Sequence, residues 1–321
     1  MKPQTKITVF DCEDDEAAAF RMLSPRFGIE PVMTKQSAAA RNAVPAPRTR
    51  CISVGHKSRI TASDLLTLRD AGVRFLSTRS IGYDHLDTEA AGRLGITIAN
   101  AAYAPDGVAD YTLMLILMLL RSAGPSLSRA AHSDFRLPPC RGKELRDMTV
   151  GIVGAGRIGR AVQKRLRGFG CRILLCDRNG GTDCVPLCLL LKESDLITLH
   201  VPLNTATYHM LGQEQFLQMK RGAFLINTAR GALIDTPELI RALNDGSLGG
   251  AALDVLEDEE GFFYFDWSHK IVSHPFLSAL SDMSNVIVTP HTAYYTDRVL
   301  YDTVEKTLAN CADFERSNIH G

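Results

Sequence analysis

The sequence predicts an α/β fold in two domains, each built on a parallel sheet. Three observations carry this expectation. Short apolar runs alternate with helical patterns from Ile7 onward, as happens when parallel strands are joined by crossover helices. A glycine-rich turn, Gly154-Ala155-Gly156-Arg157-Ile158-Gly159, follows one such run and opens a helix. The length, 321 residues, is long for one core and comfortable for two domains of about 100–200 residues each.

Residues 7–10 form the first expected strand, and the acidic stretch 11–16 suits the positive end of a helix dipole. Residues 51–54, 75–78 and 96–98 are further short strands, separated by helical patterns such as 62–71. Pro105-Asp106 then opens a long helix, since proline fits a first helical turn. Its continuation, 109–120, is apolar nearly all round and requires burial on most sides. A second series follows: strand 149–153, the glycine turn, helix 157–169 with Ile158, Val162, Leu166 and Phe169 on one face, and strand 172–176. Strands 196–201, 223–227, 251–255 and 286–288 continue it, and a charged helix over 296–314 returns the chain to the first domain. The expected division is 1–101 with 296–321, and 102–295.

Bulk composition narrows the function. Lys+Arg and Asp+Glu balance at 36 each, with no long basic run, which argues against nucleic acid or an anionic membrane as the main partner. The eight cysteines (12, 51, 140, 171, 176, 184, 188 and 311) include no C-x-x-C pair, and no acidic or histidine cluster completes a metal site around Cys184 and Cys188. Reduced thiols in a cytoplasmic protein are the expectation. The apolar stretch near the N-terminus is too short for a signal peptide. Residues 113–120 fall well short of the roughly 20 residues that a membrane span needs.

The chemistry-bearing segments lie in the second half. Gly154, Gly156 and Gly159 would let the backbone approach a pyrophosphate, whose charge the following helix N-terminus favours. Asp177 ends the next strand, where a ribose-binding acid belongs. A carboxylate there repels a 2′-phosphate and favours NAD, whereas the adjacent Arg178 could accept that phosphate and leaves NADP open. Arg230 follows strand 223–227 in the run Asn227-Thr228-Ala229-Arg230-Gly231, a tight turn suited to aiming a guanidinium inward. His291 follows strand 286–288 through Thr289-Pro290. Glu259 lies in a run of four acids, 257–260, and Glu257 is its rival. A guanidinium to clamp an acid, an imidazole to move a proton and a carboxylate to tune the imidazole suit hydride transfer at a carbonyl.

At these residues the chain resembles the D-isomer-specific 2-hydroxyacid dehydrogenases from end to end. The likeness is strongest to their vancomycin-resistance branch of D-lactate dehydrogenases. It is carried by Cys51-Ile-Ser-Val-Gly-His-Lys-Ser58, Ser77-Thr-Arg-Ser-Ile-Gly82, Thr198-Leu-His-Val-Pro-Leu203, residues 222–231 and 248–255, Phe262-Phe-Tyr264 and Pro290-His-Thr-Ala-Tyr-Tyr295.

The resemblance implies two Rossmann-like α/β domains with the active site in the interdomain cleft. It implies Arg230, Glu259 and His291 as catalytic residues, choosing Glu259 over Glu257 because the family's acid stands five residues past Asp254. Ser80, Ile81 and Gly82 would hold the substrate carboxylate through their backbone, with Tyr103 nearby. Gly154, Gly156, Arg157, Ile158, Gly159, Asp177, Val201, Pro202, Thr228, Ala229 and Asp254 would bind NAD, Asp254 facing the nicotinamide amide. The implied reaction is reduction of pyruvate to D-lactate, feeding D-Ala–D-lactate cell-wall precursors. Another D-2-hydroxy acid, or an NAD(H)-sensing binding role, is the alternative. A two-fold homodimer is implied, and Met114, Met118 and Leu119 on the apolar helix are candidates for its surface.

Overall fold

The computed structural model describes residues 5–39, 49–138, 141–270 and 274–317; Cys140 lies outside them. The chain forms two compact units, Met1–Ala104 with Tyr295–Gly321, and Pro105–Tyr294.

The first unit runs β1 (Thr5–Val9), α1 (Asp14–Leu23), β2 (Ile29–Met33), β3 (Cys51–Val54), α2 (Ala62–Asp70), β4 (Phe75–Thr78), α3 (Thr88–Arg93) and β5 (Thr97–Asn100). Its sheet has the order β2-β1-β3-β4-β5, and every pairing is parallel. The order reverses between β1 and β3, which makes the carboxyl ends of those strands the natural place for a ligand. β2 is the strand that the apolar pattern did not announce. Its sequence, Ile-Glu-Pro-Val-Met, carries Pro31, and proline lacks the N–H that a central ladder needs. As an edge strand β2 escapes that requirement.

The second unit runs α4 (Asp106–Leu120), α5 (Ala123–Ala131), β6 (Thr149–Val153), α6 (Arg157–Leu166), β7 (Arg172–Cys176), α7 (Leu187–Glu193), β8 (Leu196–Leu199), α8 (Gln213–Gln218), β9 (Ala223–Asn227), α9 (Thr236–Asn244), β10 (Leu248–Leu253), α10 (Leu277–Ser281) and β11 (Val286–Val288). The sheet order is β11-β10-β9-β8-β6-β7, again parallel throughout. Here the order reverses between β6 and β8. The last helix, α11 (Asp297–Ser317), belongs to the first unit.

Both sheets are buried on two faces, so their strands read as near-continuous apolar runs. In the first unit Ile7, Val9, Cys51 and Phe75 pack with Phe20 and with Val304, Leu308 and Cys311 of α11. Ile52, Val54 and Leu76 point the other way, onto Leu65 and Leu68 of α2. In the second unit α4 contributes Leu115, Ile116, Leu119 and Leu120 to a core with Val150, Ile152 and Val162. Leu119, expected on a partner surface, is therefore a core residue; Met114 and Leu117 are the exposed apolar residues of α4. α5 buries none of its side chains.

Helix starts are set by short polar side chains. Thr61 caps α2 by accepting from the Asp64 N–H, and Asp235 caps α9 by accepting from the Glu238 N–H. Among the described residues no single helix is long and apolar enough to cross a membrane.

Candidate active site

The glycine turn joins β6 to α6 at the point of sheet reversal in the second unit. Gly154 has φ +103°, and a Cβ there would run into the His200 carbonyl beyond the end of β8. A Cβ on Gly159 would run into the Gly154 carbonyl. Gly156 differs: nothing lies within 4 Å of the place a Cβ would take. Two glycines thus permit close packing, while the third leaves an open approach to the amino end of α6, which has no side-chain cap. That end carries partial positive charge and undonated N–H groups, as a pyrophosphate requires.

Asp177 follows β7 and is moored on both sides. Its Oδ2 accepts from the Ala155 N–H at 2.8 Å and its Oδ1 from the Asn179 N–H at 2.9 Å. The carboxylate keeps spare lone pairs for a ribose hydroxyl. The neighbouring Arg178 side chain is exposed, as is Arg157, while Ile158 is half-buried against the core below. These features fit a dinucleotide.

Val201 is half-buried and Pro202 exposed just past β8. Before them His200 donates its backbone N–H to the Val153 carbonyl, and its Nε2 lies 3.0 Å from the Thr198 hydroxyl. Burial pushes the His200 imidazole down to about 3, so it is neutral at physiological pH.

The turn carrying Arg230 is built by Asn227, the fully buried last residue of β9. Its Oδ1 accepts from the Ala229 N–H at 3.0 Å and its Nδ2 donates to the Arg230 carbonyl at 2.7 Å. The Thr228 hydroxyl is 2.9 Å from that of Thr112 on α4. Gly231 has no room for a Cβ, which would collide with the Leu256 carbonyl and the Glu257 nitrogen. The Arg230 turn is thereby pressed against the loop that leaves β10, and the guanidinium Nη1 donates to the Ala229 carbonyl at 2.7 Å.

That loop begins at Asp254, which is fully buried. Its carboxylate accepts from the Thr289 hydroxyl at 2.6 Å, the Thr292 N–H at 3.0 Å and the Ala293 N–H at 2.8 Å. Its carbonyl accepts from the His291 N–H at 2.7 Å. Burial raises the Asp254 pKa above the usual value, and the donors from Thr289, Thr292 and Ala293 oppose that rise. Asp254 thus ties β10 to the turn after β11.

His291 sits in that turn with φ +51°, a left-handed conformation that costs a non-glycine residue about 1–3 kcal/mol. The Tyr264 hydroxyl holds the His291 carbonyl at 3.0 Å. The ring Nδ1 is 2.5 Å from Glu259 Oε1, and Glu259 Oε2 accepts from the Leu256 N–H at 2.7 Å. Next to a carboxylate Nδ1 carries a proton, which fixes the ring's orientation. The rival acid is otherwise engaged: Glu257 is 2.6 Å from His209 Nε2 and accepts from the Thr236 hydroxyl at 2.9 Å. Asn227, Thr289, Tyr264 and His209 carry no signal in sequence that assigns them these parts.

In the first unit residues 80–82 follow β4. The Ser80 hydroxyl donates to the Gly82 carbonyl at 2.8 Å and lies 2.8 Å from the Thr78 hydroxyl. Asn100 Nδ2 donates to the Ile81 carbonyl at 2.9 Å. The N–H groups of Ser80, Ile81 and Gly82 have no protein acceptor among the described residues. Tyr103 is half-buried just past β5.

Residues 113–293 match the family described as D-isomer specific 2-hydroxyacid dehydrogenase, NAD binding domain. The chain belongs to this family. A D-specific alpha-keto acid dehydrogenase of Enterococcus faecalis is 58% identical over 100% of both chains. The crystal structure of a D-lactate dehydrogenase from Treponema pallidum matches with a TM-score of 0.84 and 28% identity, covering 98% of this chain and 97% of that one. The NAD complex of a D-isomer specific 2-hydroxyacid dehydrogenase from Lactobacillus delbrueckii ssp. bulgaricus matches with a TM-score of 0.80 and 27% identity, covering 98% of each chain. This D-2-hydroxyacid dehydrogenase is an NAD-dependent oxidoreductase, and the glycine turn with Asp177 fits that cofactor.

The lowered pKa of His200 leads us to expect an acid limit to stability. The unfolded imidazole binds a proton near 6.5 and the folded one only near 3, so the unfolded chain takes up more protons in between. The stability contributed by the neutral ring is complete above about 6.5 and lost as pH falls toward 3. His200→Gln should therefore flatten the loss of stability between pH 7 and pH 4.5, read as the urea midpoint at each pH. An equally steep loss in the variant would assign the acid limit to other groups.

Proposed function

We propose that this dehydrogenase reduces pyruvate to D-lactate, with Arg230, Glu259 and His291 as its catalytic residues. The observation that carries the reading is the 2.5 Å His291–Glu259 pair, set at the carboxyl ends of the same sheet that carries the Arg230 turn and the glycine turn. Bound NADH supplies the hydride for C2 of the keto acid. Arg230 pairs with the substrate carboxylate and polarises the carbonyl, a task suited to its planar fork of donors. His291 passes a proton from Nε2 to the forming alkoxide, and Glu259 fixes the tautomer and favours the charged imidazolium. The backbone N–H groups of Ser80, Ile81 and Gly82 hold the substrate carboxylate, with Tyr103 beside it. Gly154, Gly156, Arg157, Ile158, Gly159, Asp177, Val201, Pro202, Thr228 and Ala229 surround the cofactor, whereas Asp254, expected to face the nicotinamide amide, is fully buried and spends its carboxylate on anchoring the His291 turn.

The names of the relatives support the substrate: one is called a D-specific alpha-keto acid dehydrogenase and another a D-lactate dehydrogenase. We place the enzyme in the cytoplasm, where its product would supply D-Ala–D-lactate cell-wall precursors in vancomycin resistance. Free thiols at all seven described cysteines suit that compartment.

A panel of 2-keto acids with NADH and NADPH tests the substrate. Pyruvate with NADH should give the highest kcat/KM; a tenfold preference for a branched or aromatic keto acid would replace pyruvate in the assignment. Arg230→Lys keeps the charge but loses two-point recognition. It should cost about 2–5 kcal/mol in kcat/KM for pyruvate while NADH affinity stays near that of the unmodified enzyme. Lost NADH affinity with normal pyruvate kinetics would sink the role of Arg230.

A homodimer completes the proposal. Met114 and Leu117 on α4 are exposed, as are Leu127 on α5 and Phe135 and Leu137 beyond it. Apolar residues in that density favour a covered face, and closed two-fold pairs are the commonest oligomers. Light scattering should give about twice the 35.2 kDa of the chain. Met118→Asp should yield monomers or aggregates, because a buried unpaired charge is costly. A monomer of the unmodified enzyme at micromolar concentration would refute the dimer and leave the catalytic assignment standing.

A further inference from the structure

We infer that Arg79 is a positioning residue for substrate: its buried guanidinium sets the direction of the peptide N–H groups of Ser80, Ile81 and Gly82. The inference rests on the proposed role of those groups in holding the substrate carboxylate. Arg79 is the residue after β4, and its side chain is 2% exposed. Nε donates to Glu16 Oε1 at 2.8 Å, and Nη1 donates to the Ser53 hydroxyl on β3 at 3.0 Å. Nη2 donates to the carbonyls of Phe10 at 2.8 Å and Asp11 at 3.0 Å, just past β1, and to Glu16 Oε2 at 3.3 Å. One planar group therefore joins the carboxyl ends of β1, β3 and β4, including the two strands between which the sheet order reverses.

The surrounding backbone is shaped to admit it. Asp11 has φ +50°, which turns its carbonyl onto the guanidinium. A Cβ on Gly55 would sit 3.4 Å from the Asp11 Cβ and 3.5 Å from Arg79 Nη2. From the other end, the Thr78–Ser80 contact, the Ser80–Gly82 hydrogen bond and Asn100 fix the loop's own geometry. The loop is thus held at both ends, and its N–H groups are left without protein acceptors among the described residues.

Charge alone does not explain the residue. Glu16 neutralises Arg79 directly, so the guanidinium contributes little net field toward an anion. Stability does not explain it either, because a buried ion pair commonly stabilises no better than apolar residues of similar volume. Geometry does. Peptide N–H groups hold an anion only when they converge on it, and a small misplacement of such donors weakens binding strongly. A lysine brings one point of charge and cannot reach acceptors on three strands.

The test is steady-state kinetics with pyruvate and NADH, with NADH affinity read separately by fluorescence titration. Arg79→Lys should raise KM for pyruvate about tenfold or more, with NADH affinity within about twofold. The Ki of oxamate, a non-reacting pyruvate analogue, should rise in parallel. Ser53→Ala and Glu16→Gln each remove part of the guanidinium's anchorage, and should raise the same KM by a smaller factor. They decide the matter by the same criterion if Arg79→Lys does not fold. A fall in kcat with unchanged pyruvate KM would mark a merely structural residue and overturn the inference. So would equal losses of pyruvate and NADH affinity. A wild-type enzyme that reduces no 2-keto acid removes the functional reading and this inference together. Turnover of pyruvate with normal kinetics in all three variants removes only the role of Arg79.

Discussion

Asp254 lies at zero exposure at the end of β10, and a carboxylate in that position is costly unless its oxygens are satisfied. They are satisfied by the residues that surround His291: the Thr289 hydroxyl and the Thr292 and Ala293 N–H groups. The same residue accepts the His291 N–H through its carbonyl and donates its own N–H to the Asn227 carbonyl on β9. Three segments distant in sequence are thereby set in register by one buried group. The strained backbone of His291 persists because it is over-determined in this way, with Tyr264 holding the remaining carbonyl.

From that anchor the rest of the second unit's site follows through close backbone contacts. Gly231 brings the Arg230 turn against the Leu256 carbonyl, and Gly154 brings the glycine turn against the His200 carbonyl. These contacts lie at the carboxyl ends of parallel strands, where every crossover delivers its loop to the same edge. The first unit repeats the design with different means. Where the second unit relies on missing side chains, the first uses a long cation, Arg79, to draw three strand ends together.

The acids after β10 show how a local run is divided by distant partners. Glu257 turns to His209 and Thr236, while Glu259 turns to His291. Two residues apart in an extended chain point the same way, but this loop is not extended: Asp258 between them has φ +59°. The bend lets neighbouring acids serve two separate imidazoles.

The strand and helix alternation, the glycine turn, Asp177 and the segments carrying Arg230 and His291 were legible in the sequence, because each rests on a local rule. Apolar runs report burial on both sheet faces, and glycine reports a backbone that must approach another. β2 escaped notice because Pro31 contradicts a strand unless the strand is an edge, and edge position is a property of the sheet. The burial of Leu119 likewise depends on which helix faces meet β10 and its neighbours. Composition left Glu257 and Glu259 open, and only family resemblance favoured one; the hydrogen bonds then separated them. Thr289, Tyr264 and Arg79 are common residue types whose partners are distant in sequence, and the side chain of Asn227 closes a turn whose form the residue types alone do not specify. What the sequence determined was which chemical groups stand at strand ends; which groups meet was decided by tertiary structure, because hydrogen-bond partners are chosen by distance in space rather than along the chain.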